Sequence, residues 1–172
     1  MPERIGAAMF IAFQVLTLLL VAVAMATALA HALEWPGKAR LDRETYIAVQ
    51  PIYYPGFTLG GLIGEFGGMV ATLLLVLLTP RDTPAFWLTL AALTILVVMH
   101  LLYWMLTAPV NKFWLKDTAL SASANRFFGR PRDGDALGAD WTVLRDRWEA
   151  SHAWRALLGV TALVLLATAL AH

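Results

Sequence analysis

Four long stretches of this chain carry almost no charge, and they limit its fold more than any other feature. They run from about Ile5 to Leu33, Phe57 to Leu78, Ala85 to Thr107 and Ala153 to Ala171. A helix crossing a bilayer needs about 20 mainly apolar residues, and each run is close to or above that length. Inside hydrocarbon every backbone N–H and C=O must be satisfied by the protein itself, so such runs fold as helices. The whole chain has 172 residues, of which 59% are hydrophobic and 15% charged. A soluble domain would be nearer half apolar and a quarter charged. The expectation is one all-α transmembrane domain over residues 1–172, an integral four-helix bundle. Its helices span about 5–34, 57–79, 85–108 and 141–171, with a short interfacial loop after the first and a long polar loop before the last.

The first run exceeds the apolar length usual in a signal peptide and ends in His31 and Glu34, so it reads as a retained helix. There is no cysteine, which excludes disulfides and thiolate ligation. No glycine-rich phosphate loop follows a strand and no repeat is evident. The net charge of +1 says nothing about polyanions, and no nucleic-acid partner is expected. The cations are unevenly shared between the two ends. The termini and the Thr79–Pro84 turn carry Arg4 and Arg81. Loops 34–56 and 108–151 carry Lys38, Arg40, Arg43, Lys112, Lys116, Arg126, Arg130, Arg132, Arg145 and Arg147. The positive-inside rule places those loops in the cytoplasm and both termini outside.

Local punctuation refines the picture. Pro36-Gly37 is expected to stop the first helix. Leu41-Asp42-Arg43-Glu44 opens a short interfacial helix that Pro55-Gly56 ends, with Tyr46, Tyr53 and Tyr54 as anchors at headgroup depth. Gly56, Gly60, Gly64 and Gly68 are four apart and form one stripe, with Gly61 and Gly67 beside it, suited to close helix packing. A homo-oligomeric contact or a membrane partner is an alternative use of that stripe. The six-residue turn Thr79–Pro84 makes the second and third helices antiparallel neighbours. Phe113 to Phe128 mixes apolar and basic residues and is expected to lie on the membrane surface. Asp140 is the expected cap of the last helix.

Ionisable residues within a membrane are costly and are functional hypotheses by default. Here they agree in depth. His31 and Glu34 close the first helix. At 1.5 Å rise, Glu65 lies roughly 13 Å into the second and His100 roughly 11 Å before Thr107 in the third. His152 and Arg155 sit near the start of the fourth. His100, Trp104, Thr107 and Asn111, spaced four, three and four, share one face. Three chemistries fit. His31, Glu34, Glu65, His100 and His152 are an N/O ligand set suited to iron, copper or zinc. Paired histidines on facing helices are a haem alternative. The third is a metal-free pocket in which His152 or Glu65 deprotonates a phenol-like molecule, Arg155 holds the anion, and His100, Tyr103 and Trp104 contact the ligand or cofactor. Plainer readings stand beside these. Glu65 pairs with Arg155 as a structural ion pair, His100 hydrogen-bonds between helices, His31 and His152 sit at the interface, and the tryptophans are interface anchors.

Thr107-Ala108-Pro109-Val110-Asn111-Lys112 and Arg147-Trp148-Glu149-Ala150-Ser151-His152-Ala153-Trp154-Arg155 carry a Pro-x-Asn and a Trp-x-x-x-His-x-x-Arg element. The chain resembles in these the small four-helix membrane proteins grouped with anthrone oxygenases, many of them bacterial. That resemblance implies a bacterial inner-membrane bundle, a site lined by Asn111, His152 and Arg155, and oxygenation of electron-rich aromatics without an obvious cofactor. The polar ending His31–Lys38 and the carboxylate Glu65 lie outside the family pattern. The expectation is therefore an oxygenase-like or oxidoreductase-like protein acting on a hydrophobic aromatic or quinone-like molecule. The rival is a non-catalytic membrane accessory subunit or lipid-binding module; a transporter is weaker, since inverted repeats are absent.

Overall fold

The computed structural model describes residues 2–54, 56–114 and 140–172. Helix α1 spans Pro2–Lys38 and α2 spans Arg43–Val49, continued by a 3₁₀ turn at Gln50–Tyr53. Helix α3 spans Gly56–Leu78, α4 spans Pro84–Trp114 and α5 spans Trp141–Leu170. All but α2 are long and apolar enough to cross a membrane. The expected all-α four-helix bundle is the fold that forms. Helix α1 packs on α3 and α5, and α4 packs on the same two, so α1 and α4 lie across one diagonal.

The bundle geometry follows from the spacing of the core. On α5 the buried positions Trp148, His152, Arg155, Gly159, Ala162, Leu166 and Ala169 alternate in steps of four and three. Thr17, Val21, Ala24, Ala28 and His31 do the same on α1. This is the 3.5-residue repeat of helices that coil around each other. Small residues recur in it, and they let backbones come close where apolar burial gives no drive of its own. At Gly159 an added Cβ would lie 3.1 Å from Met25 Cα, so α1 and α5 touch there backbone to backbone. The core threonines Thr17, Thr72 and Thr89 return their hydroxyls to the carbonyl four residues back, at 2.8, 2.7 and 2.7 Å, so they bring no orphan donor into the apolar interior.

The glycine stripe is spent inside the chain. A Cβ on Gly64 would stand 2.6 Å from Ala24 N and 3.0 Å from Leu20 O; Gly60 meets Thr27, and Gly68 meets Val21. Its middle is therefore covered by α1, the helix packing that the stripe suits. Gly56, at its end, touches nothing. The tight turn behaves as expected. Thr83 caps α4 by accepting from Phe86 N at 3.3 Å, and Pro84 takes the first helical position, where a missing N–H costs nothing.

Two prolines do not act as stops. Helix α1 runs through Pro36 to Lys38. One helical turn brings Lys38 Nζ within 3.1 Å of Glu34 Oε2, and Lys38 is buried against α5, so contacts beyond the proline hold the turn. Helix α4 runs through Pro109. Proline cannot donate to Met105 O four residues earlier, and Arg147 on α5 does so instead, at 2.6 Å. The freed stretch Tyr103–Thr107 opens into a π-helical turn, in which Ala108 N bonds to Tyr103 O. A second such turn, Leu62–Phe66, lies in α3. Tyr46 and Tyr53 turn inward and are buried beneath the segment, where carboxylates of α5 and α1 accept from their hydroxyls. The surface segment expected up to Phe128 lies, beyond Trp114, outside the described residues, as do Pro55, Lys116, Arg126, Arg130 and Arg132.

Gly64→Ala drives a methyl into the α1 backbone and is expected to destabilise by about 1–3 kcal/mol, as overpacking does. Gly61→Ala, with open space around it, should be neutral or stabilising by up to about 1 kcal/mol through helix propensity. Denaturant unfolding of both variants in detergent micelles checks the contrast. Equal stability would remove Gly64 as the contact that sets the α1–α3 distance.

Candidate functional site

All four spanning helices contribute to an internal cavity of about 260 Å³. Helix α1 supplies Thr27, Ala28 and His31, and α3 with the preceding turn supplies Tyr53, Phe57, Gly61, Leu62, Glu65 and Phe66. Helix α4 adds His100, Tyr103, Trp104, Thr107 and Asn111, and α5 adds Trp148, His152 and Arg155. Of the site residues singled out in the sequence, Glu34 alone is not on its wall. Both π turns border it. Such turns recur at functional sites because one extra residue re-aims the side chains around it.

The deeper polar group joins three helices. Glu65, buried in the π turn of α3, accepts from Arg155 Nη2 of α5 through one oxygen and lies 2.9 Å from His100 Nδ1 of α4 through the other. His100 Nε2 accepts from Trp104 Nε1 at 2.9 Å. That nitrogen is therefore unprotonated, so in the neutral ring Nδ1 carries the hydrogen and donates it to the carboxylate. Arg155 also lies over the Tyr103 ring at 5.2 Å. The structural readings of Glu65 and His100 thus hold in geometry: the one is ion-paired, the other bridges helices. Both oxygens of Glu65 are engaged, which leaves it poorly suited to accept a further proton.

The shallower group is aromatic. His31 and His152 meet edge to face at 4.2 Å between centroids, with Tyr53, Phe57 and Trp148 packed on His31 at 4.5, 4.6 and 4.7 Å. His152 Nδ1 lies 2.9 Å from Trp148 O. A carbonyl only accepts, so Nδ1 carries the hydrogen and the neutral ring keeps its lone pair on Nε2. Ser151 donates to the same carbonyl at 2.7 Å, and Thr107 in turn donates to Ser151 at 2.8 Å. Asn111 Oδ1 accepts from Trp148 Nε1 at 2.7 Å. The Pro-x-Asn and Trp-x-x-x-His elements are thus in direct contact, with Asn111 positioning Trp148.

The metal set does not assemble. Glu65 with His100, His31 with His152, and Glu34 with Tyr53 form three separate places. Among the described residues no three carboxylate or imidazole groups are placed to hold one ion. Spacing along one helix, which brought His31 and Glu34 together on paper, does not fix distances between helices. Haem does not fit the facing pair either, because the rings of His31 and His152 touch and leave no slot for a macrocycle.

Sequence reasoning missed the network that closes the loop end of the cavity. Tyr46 donates to Glu149 Oε1 at 2.8 Å and Tyr53 to Glu34 Oε2 at 2.6 Å. Lys38 sits between the two carboxylates, 3.1 Å from Glu34 and 3.5 Å from Glu149, and over the Tyr53 and Trp148 rings at 4.7 and 4.9 Å. Glu149 is fully buried. Its signal was there to find, since it precedes His152 by three and so shares the inward face of α5. Burial, reinforced by Glu149, pushes the Tyr46 phenol well above the ordinary tyrosine range, and burial with the Glu34 hydrogen bond does the same to Tyr53.

Two outcomes follow. Arg155→Met leaves a buried carboxylate without its cation and should cost about 3–5 kcal/mol, whereas Glu65→Leu with Arg155→Met should recover much of that loss; unfolding in micelles measures both, and additive losses would contradict the pairing. The raised phenols add stability that is complete below the ordinary tyrosine pKa of about 10 and is lost as pH climbs above it. An alkaline titration should therefore show the phenolate absorbance of Tyr46 and Tyr53 arriving together with loss of helix; ionisation in the intact fold would contradict their burial.

Set against known proteins, the chain matches no family model, no curated protein and no solved structure.

Proposed function

We propose that the protein binds a hydrophobic aromatic molecule of phenol or quinone type inside the bundle and carries out an oxygenase-like or oxidoreductase-like conversion of it. The observation that carries this reading is the pairing of an aromatic-walled cavity with His152, whose Nδ1–H is fixed on a backbone carbonyl, one helical turn from Arg155. Ring faces of Tyr53, Phe57, Tyr103, Trp104 and Trp148 suit a planar apolar ligand. His152 Nε2 accepts the proton of the ligand hydroxyl and becomes an imidazolium, while the ligand becomes a phenolate. Arg155, tethered by Glu65 on the cavity wall, draws the phenolate oxygen. A phenolate gives up an electron far more readily than the phenol, which prepares it for dioxygen as oxidant. Glu65 and His100 position the arginine, and Asn111 positions Trp148. The likeness of the Pro109–Asn111 and Trp148–Arg155 elements to the anthrone-oxygenase group supports the same reaction class. By the charge rule the closed loop end of the cavity faces the cytoplasm of a bacterial inner membrane.

The test uses the protein in lipid nanodiscs, titrated with 1-naphthol and with menadione while tryptophan fluorescence is followed. Saturable quenching is expected, because Trp104 and Trp148 line the cavity. His152→Ala should keep binding within about threefold and lose about 10²–10⁴-fold of substrate-dependent oxygen uptake, the range of a general base. Absence of saturable quenching, or undiminished turnover in the variant, would defeat the reading; binding without any turnover would favour the lipid-binding alternative.

A further inference from the structure

The cavity has a lateral mouth. Leu62 and Phe66 on α3 and Trp104 on α4 line it and are at the same time 48, 54 and 47% exposed on the outside of the bundle. Cavity-lining side chains this exposed stand at its rim, and with Gly61 beside them, where nothing lies within 4 Å of a side-chain origin, they place the mouth in the seam between neighbouring helices α3 and α4. At 1.5 Å per residue, Leu62 and Phe66 lie roughly 9–15 Å along α3 from Gly56, and Trp104 roughly 5 Å before Thr107. The hydrocarbon layer is about 30 Å thick, so the mouth lies in its loop-side half.

The loop end is walled by Tyr53, which is 8% exposed. Tyr53 and Phe57 separate the cavity from an outer cleft beside Glu34 and Lys38, and both rings are held by the hydrogen bond to Glu34 and by packing on His31. A molecule in the cavity would meet polar groups at His152 and Arg155, aromatic walls around its ring, and the half-exposed apolar side chains of Leu62, Phe66 and Trp104 toward the outside.

We infer that the ligand class is an aromatic headgroup bearing an alkyl or isoprenoid tail, with the ring inside the bundle and the tail passing between α3 and α4 past Leu62, Phe66 and Trp104 into the bilayer. This rests on the reading of the cavity as an aromatic site and adds to it the source of the ligand, the membrane interior. The seam is lined by flat and branched apolar side chains and holds Gly61, which adds no side chain to it. Nothing lies within 4 Å of where a Gly61 side chain would start, and its backbone is ordinary right-handed helix, so a side chain can begin there without meeting a neighbour.

Gly61→Trp provides the test, with Gly61→Ala as the control for helix content and thermal stability. The probes are 2,3-dimethoxy-5-methyl-1,4-benzoquinone with and without a decyl tail, titrated into nanodiscs of fixed lipid content by tryptophan quenching. Comparing each variant with the parent at the same lipid content cancels partitioning of the tailed probe into the membrane. Because Gly61 also borders the cavity, the readout is the ratio of the two losses: the expected result is that Gly61→Trp weakens the decyl quinone at least tenfold more than it weakens the tail-less quinone. An equal loss for both probes, or no loss for either, would overturn the tail path; the latter is also the outcome if a lipid acyl chain fills the seam instead. Failure of both quinones to bind the parent protein would be a failure of the aromatic site itself, and the tail assignment would fall with it.

Discussion

The ion pair between Glu65 and Arg155 is the interaction on which the arrangement of this bundle turns. A carboxylate and a guanidinium in an apolar interior are stable only together and only with their remaining hydrogen-bonding capacity used. The third group, His100, uses the second carboxylate oxygen, and Trp104 fixes the histidine tautomer that can do so. Three helices are thereby tied at one depth. The fourth joins through backbone contact, since Gly64, the neighbour of Glu65, lies against Ala24 of α1. Glu65 therefore faces the cavity because its neighbour has no side chain to hold the helices apart.

Much of this was legible in the sequence, and the reason is geometric. Helical rise is fixed, so charge-free lengths gave four spans, and counting from their ends placed Glu65, His100, His152 and Arg155 at one level. Rotation about the helix axes and distance between helices were not legible. The shared depth of His31, Glu34, Glu65, His100 and His152 suggested one ligand set, yet they fall into three groups. The π turns at Leu62–Phe66 and Tyr103–Thr107 rotate the helical segments beyond them, and a regular 3.6-residue count does not anticipate that. Pro109 was the available clue to the second turn, because a proline inside a helix must leave the carbonyl four residues before it for another donor.

Glu149 and Lys38 were overlooked for a different reason. Both lie near helix ends rich in charge, where a solvated side chain is the ordinary expectation. Here the interfacial segment folds over them. Asp42 starts α2 by accepting from Thr45 N at 2.8 Å, and the helix then delivers Tyr46, and the turn after it Tyr53, to the two carboxylates. The segment that looked like an anchor to the membrane surface is a strap from α1 to α5, and its aromatic side forms one wall of the cavity.

Each π turn holds one residue more than an α-helix would need, so each is a seam between two helical phases. On α4 the inward positions Thr89, Ala92, Leu96 and Met99 keep the coiled spacing, and past the seam the stripe resumes at Thr107, displaced by a residue. The two halves of α3 and of α4 are thus independent registers joined end to end. In a related chain, removing one residue between Gly60 and Gly68 would leave composition, hydropathy and span length nearly unchanged, yet turn the acid away from the cavity by about 100°, the angle one residue subtends in an α-helix. The number of residues in that segment, more than their identity, therefore separates chains able to present a carboxylate to this cavity from chains that merely share the bundle.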